Sequence, residues 1–279
     1  MVDLAELLAD LDAESADLDA LVVPLPDAAW ATPTPAEGWT VAHQIAHLAW
    51  TDHVSRLAAT DTAAFFASVA DLGEDIDDFV DRATASALAP APELLARWRS
   101  GRAALAAALA AVPPGTKIPW YGTAMSPASM ATARIMETWA HGLDVADALG
   151  VARPPTARLR HIAHLGMRTL GHGFVAHGQE PPDRPVRVEL SAPDGALWTF
   201  GPEGAADRVT GPALDFCLLV TQRRHRADLA LQATGPVADA WLDVAQAFAG
   251  PPGKGRPPGE GGTAGGERPP GADAVGTRQ

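Results

Sequence analysis

The stretch "SPASMATARIMETWAHGLDVADALG", residues 126–150, decides how this chain is read. Ser126 is a natural N-cap, and Pro127 takes the first helical position, where its missing N–H costs nothing. Gly150 supplies the stop. Between them Ile135, Met136, Trp139, Leu143 and Ala146 form an apolar stripe. Beside it runs a second stripe at i, i+4, i+7, i+11 and i+15: Met130, Arg134, Glu137, His141 and Val145. Solvated faces carry scattered charges of both signs. A line of ionisable groups flanked by Met and Val predicts a polar seam set into a buried helix.

A second helix is predicted in "WTVAHQIAHLAWTDH", residues 39–53, with Thr40 as its cap and its end near Ala59. His43 and His47 share a face, whereas His53 points well away from it. Two imidazoles and one carboxylate are the ligand set of many catalytic zinc sites and suit iron(II) or other divalent ions equally. Helix bundles build such sites from facing helices. The candidates lie far apart in sequence and no compact signature joins them, so the rival reading is a set of satisfied polar residues at a bundle end.

Working outward, Leu4, Leu8, Leu11, Leu18 and Val22 mark a first helix that ends before Pro24. A short helical piece is predicted over 74–85, and an alanine-rich helix over 93–112 stops at Pro113, Pro114 and Gly115. Residues 116–125 read as a loop. Four long helices predict an antiparallel bundle over 1–152. Beyond it the texture changes. Residues 157–178 read as a helix, 184–200 as a hairpin turning at Asp194-Gly195, and 213–229 and 236–250 as two further helices. The fold class is therefore α+β, with a small α+β domain over 153–250. The Pro/Gly-rich tail, 251–279, lacks apolar anchors and is expected to be disordered.

Bulk composition narrows the function. A chain of 279 residues, 47% hydrophobic, can bury a real core. A net charge of -13 argues against a nucleic-acid partner, because phosphates require clustered Lys and Arg. No apolar run is long enough for a membrane span. The start is acidic and amphipathic, unlike a signal peptide, and a single cysteine fits a reducing cytoplasm. Cys217, inside "DFCLLV", reads as a buried structural thiol. A cytoplasmic protein with a small-molecule substrate is expected.

"PTPAEGWTVAHQIAHLAWTD" (33–52) and "WYGTAMSPASMATARIMETWAHGLDVADALG" (120–150) together resemble the mycothiol-dependent maleylpyruvate isomerase family, among the DinB-like metalloproteins. Residues 212–253 resemble its actinobacterial branch as well. The resemblance implies a DinB-like four-helix bundle followed by a small sterol-carrier-like α+β domain. It implies a divalent metal, typically zinc, held by His47, Glu137 and His141, with His43 only a neighbour. It also implies mycothiol as thiol cosubstrate, in cis–trans isomerisation or S-transfer on a small electrophile. An arginine of the second domain binds the isomerase's dicarboxylate substrate; Arg223 and Arg224 stand nearest, although "VTQRRHR" departs from that pattern.

Other residues receive candidate roles. Arg134 would orient an anionic substrate or approach Glu137. Trp120, Tyr121 and Met125 would wall the pocket, with Tyr121 as proton donor and core packing as the rival. Asp144 would fix the His141 ring as a hydrogen-bond acceptor. Two alternatives differ in class: a non-catalytic, metal-dependent small-molecule-binding protein, and a tRNA-modification accessory, which the acidic charge opposes.

Overall fold

The computed structural model describes residues 3–259 except 71, 72, 74 and 122. Its first half is helical: α1 (Leu4–Val22), α2 (Val41–Thr60), α3 (Thr62–Ser68), α4 (Ile76–Ser86) and α5 (Ala91–Ala111). A hairpin of β1 (Ile118–Trp120) and β2 (Thr123–Met125) leads into α6 (Pro127–Leu149). The long helices form the expected bundle, with α2 against both α5 and α6, and α1 against α6. Capping follows the sequence. Ser126 Oγ accepts from the Ser129 N–H at 3.1 Å, and Gly150 ends α6 in the left-handed region at φ 65°.

The second half is a smaller α+β unit: α7 (Leu159–Arg168), α8 (Leu170–Ala176), β3 (Val186–Ser191), β4 (Leu197–Phe200), β5 (Asp207–Pro212), α9 (Ala213–Val220), β6 (Gln232–Thr234) and α10 (Pro236–Val244). Among the described residues the sheet runs β4-β3-β5-β6, with β3 and β5 parallel and the other pairs antiparallel. The Asp194-Gly195 turn closes the predicted hairpin, with Gly195 at φ 83° and Ser191 opposite Leu197.

Several expectations need correction. Residues 118–120 and 123–125 pair as strands rather than forming a loop, because Ile118 packs in the core of Leu7, Leu105, Leu109 and Met130, and Met125 packs against it. The helix expected over 157–178 breaks at Thr169 into α7 and α8. The helix expected over 213–229 stops at Val220, where Gln222 turns left-handed at φ 57°. The helix expected over 236–250 stops at Val244, and the Ala247 N–H turns back to Val220 O at 2.7 Å. Strands β5 and β6 were not anticipated.

The first nine residues of the tail are also placed. Gln246 Nε2 donates to the carbonyls of Phe248, Gly250 and Pro251, and Arg256 reaches Asp144 and Asp147. An ionic anchor replaces the apolar one that composition lacks. Residues 260–279 of the expected disordered tail lie outside the described residues.

Helix α6 organises the whole molecule. Met130, Ala131 and Ile135 join one bundle core, and Val145 joins the other. Met136, Trp139 and Ala140 pack into the core of the second unit. The face left over carries Arg134, Glu137 and His141. No helix among the described residues is long and apolar enough to cross a membrane.

Candidate metal centre

The two polar stripes meet where α2 packs against α6. His47 Nε2 lies 3.4 Å from Glu137 Oε2, and His141 Nε2 lies 3.2 Å from the same oxygen. The two imidazole centroids are 4.5 Å apart. Each residue offers one ligand atom, and the three atoms all fall within 4.8 Å of one another. A pair of imidazoles and a carboxylate converging on one point suits a small divalent cation, and the set matches a zinc or iron(II) site with coordination positions to spare. His43 faces elsewhere. Its Nδ1 accepts from the Thr40 N–H at 3.3 Å and lies 2.9 Å from Thr40 Oγ1, so it closes a capping box at the start of α2.

Electrostatics keep these groups ready to bind a cation. Burial, then the charge of His141, push the His47 pKa down to about 4, against the opposing pull of Glu137. The ring is therefore neutral at pH 7 and its lone pair is available. Burial alone would raise the Glu137 carboxyl, but the adjoining His141 and His47 rings outweigh it and hold Glu137 well below the usual carboxylate range. Behind the triad, Arg134 donates from Nε to Asp52 Oδ1 at 2.9 Å in a fully buried pair. This pair is neither a surface contact nor a partner for Glu137.

Residues that sequence reasoning missed complete the surroundings. Gln44 Oε1 sits 2.5 Å from His141 Nδ1, and Thr84 Oγ1 sits 3.3 Å from His47 Nδ1. Trp39 stacks on His141 at 5.9 Å and tilts over His47 at 5.2 Å, while Trp50 meets His47 edge-on at 5.7 Å. Gln44 was findable, since it stands one turn before His47 on the inward face of α2. Thr84, on another helix, left no local signal.

Other expected site residues sit elsewhere. Asp144 does not orient His141; it is buried and paired with Arg223 at 2.9 Å and with Arg256. Arg224 pairs with Asp147 through two nitrogens, at 2.9 and 3.0 Å. Trp120 stacks on Phe65 at 6.0 Å, and Tyr121 packs edge-on to both rings. The ring of that cluster that touches His47 is Trp50. Burial pushes the Tyr121 pKa up to about 12, which makes it a poor proton donor. Met125 packs beside Leu7, Leu105 and Ile118. The reason is shared: the β1–β2 hairpin turns these side chains into the bundle core. His53 lines an open cleft of about 530 Å³ between α2 and α5, with Trp50, Arg56 and Arg97. Cys217 is buried, its thiol donates to Leu159 O at 3.4 Å, and burial raises its pKa strongly.

Comparison with known proteins bears on the family and the fold. Residues 11–146 match the family model for the mycothiol maleylpyruvate isomerase N-terminal domain. The N-terminal unit belongs to the mycothiol-dependent maleylpyruvate isomerase family. Residues 182–234 match a second model, described as wyosine base formation. Two uncharacterized proteins, from two strains of Mycobacterium tuberculosis, are 56% identical over 257 residues, covering 92% of this chain and 100% of theirs. The crystal structure of a mycothiol-dependent maleylpyruvate isomerase shares the fold with a TM-score of 0.55 at 14% identity, over 83% of this chain and 93% of that one. A mutant of that isomerase aligns with the same TM-score of 0.55 at 15% identity, over 80% of this chain and 90% of its own.

Proposed function

We propose that this member of the isomerase family is a divalent-metal-dependent enzyme that activates mycothiol, a low-molecular-weight thiol, for S-transfer or cis–trans isomerisation on a small electrophile. The observation that carries this reading is the convergence of His47, Glu137 and His141 on one point. These three residues would hold the ion, for which zinc is the favoured identity. A divalent cation there would stabilise a bound thiol as thiolate, the nucleophilic form.

The chain's own residues do the rest. His47 presents a neutral nitrogen, His141 turns Nε2 toward the same carboxylate oxygen, and the ionised Glu137 supplies the one negative charge among the ligands. Trp39 and Trp50 cover the imidazoles and exclude water from one side. The cleft beyond Trp50 offers room for a small molecule, and Arg56, Arg97 and His53 suit an anionic group there. Arg223 and Arg224 are held by Asp144 and Asp147, which favours S-transfer over isomerisation of a dicarboxylate gripped by those arginines. A sterol-carrier-like origin of the second unit belongs to the same reading.

The test is to load metal-free protein with zinc and follow consumption of mycothiol with a panel of electrophiles, maleylpyruvate among them. Metal-dependent consumption that disappears in His47→Ala is expected; consumption that survives the substitution overturns the proposal. The match over 182–234 motivates a second reading, a role in tRNA base modification. RNA retained by the protein at moderate salt would favour it, and the charge of -13 opposes it.

A further inference from the structure

The geometry points to Gln44 as a positioning residue. It fixes which nitrogen of His141 carries the proton, and it ties that choice to the loop preceding α2. The inference rests on the metal-site reading above, but its structural half stands without a metal.

The relay starts from an atom with no choice. The Trp39 backbone carbonyl can only accept, and Thr34 Oγ1 lies 3.0 Å from it, so the Thr34 hydroxyl proton is directed there. With its proton committed, Thr34 Oγ1 is the acceptor in its 2.8 Å contact with Gln44, and the amide NH2 must face it. The amide oxygen is thereby turned to His141 Nδ1, 2.5 Å away. An amide oxygen only accepts, so Nδ1 must bear the hydrogen, and in the neutral ring Nε2 is left with the lone pair. That lone pair points at Glu137 Oε2, 3.2 Å distant. Two lone-pair carriers facing each other at that range repel unless a proton or a metal ion lies between them. The relay thus pre-sets the ring for a metal at Nε2.

Burial gives the relay its force. Gln44 is fully buried, so a misdirected amide would leave an unpaired polar group out of water. The loop is part of the device. Thr34 N–H donates to Trp39 O at 2.8 Å, the Trp39 indole N–H donates to Asp81 at 2.9 Å, and its ring lies on His141. Displacing this loop would release both the stacking partner and the direction of the amide. In metal sites generally, the group that binds a ligand histidine's outer nitrogen sets its tautomer, and losing that group lowers metal affinity about 10–100-fold.

The test pairs zinc titration with nitrogen NMR of the histidine rings in the metal-free protein. Expected in the wild type is the Nδ1–H form of His141. Gln44→Leu should lose that form and weaken zinc binding about 10–100-fold. Gln44→Glu keeps an acceptor at the same atom and should retain the Nδ1–H form, its second oxygen accepting the Thr34 hydroxyl proton in place of Trp39 O. Thr34→Val, which frees the amide to rotate, should give a mixture of tautomers and an intermediate affinity. Should Gln44→Leu fail to fold, Gln44→Glu decides: an Nε2–H form of His141 in that variant overturns the proposal. So does an unchanged tautomer and affinity in a folded Gln44→Leu. A wild type that binds no zinc yet shows the relay-dependent Nδ1–H form overturns the metal reading alone.

Discussion

Along α6 two polar groups, less than one turn apart, are closed in opposite ways. Glu137 and His141 face His47, and each presents a Lewis-basic atom toward the others. Asp144 and Asp147 face the second unit, where Arg223, Arg224 and Arg256 take up their charge. The second group is closed as an ion-pair network; its carboxylates are matched by guanidinium groups in bidentate or shared contacts. The first gathers acceptors, and among the described residues no guanidinium pairs with Glu137. One helix thus carries a structural seam and a candidate binding centre side by side, and the difference lies in which element packs opposite. An Arg-rich loop and tail meet the former, and a His-bearing helix meets the latter.

The largest effect expected is behind the binding centre. Asp52→Leu leaves the buried Arg134 charge without its partner and should cost about 3–5 kcal/mol of stability, with Asp52→Leu/Arg134→Met recovering most of the loss. Chemical denaturation of the three proteins checks this. Next comes acid sensitivity. Unfolded, His47 gains its proton near 6.5; folded, near 4. The unfolded chain therefore binds more protons between those values, and acidification favours unfolding. Stability of the metal-free protein should fall by something on the order of 3 kcal/mol as pH drops through that window, and His47→Gln should flatten the decline. The depressed Glu137 carboxyl acts in the same direction below its ordinary value of 4.5. Smallest is the seam. Arg256→Ala leaves Asp144 with Arg223 and Asp147 with Arg224, so about 1–2 kcal/mol should be lost while zinc affinity stays within about twofold. A zinc affinity that fell with the seam would erase the distinction between the two regions.

Much of this was legible in the sequence, for physical reasons that particular residues illustrate. The caps Thr40, Ser126 and Gly150 and the period of the α6 stripes reported local preferences, and local preferences survived folding. The Asp194-Gly195 hairpin did so as well. The convergence of His47, Glu137 and His141 was readable because these residues share helix faces with apolar neighbours, and the family resemblance separated His47 from His43. What stayed hidden depends on partners distant in sequence. Thr84 reaches His47 from another helix. Trp120, Tyr121 and Met125 are consumed by core packing that a short hairpin imposes. Arg256 is anchored by charge inside a segment whose composition signals disorder. Strands β5 and β6 are short and take their shape from the neighbours they pair with.

The most direct measurement is calorimetric titration of zinc into metal-free wild-type protein and into Glu137→Gln. One ion per chain is predicted for the wild type, with affinity lowered more than about 100-fold in the variant, whose amide removes the only ligand charge. Absence of stoichiometric binding to the wild type, or equal affinity in both proteins, would contradict the account.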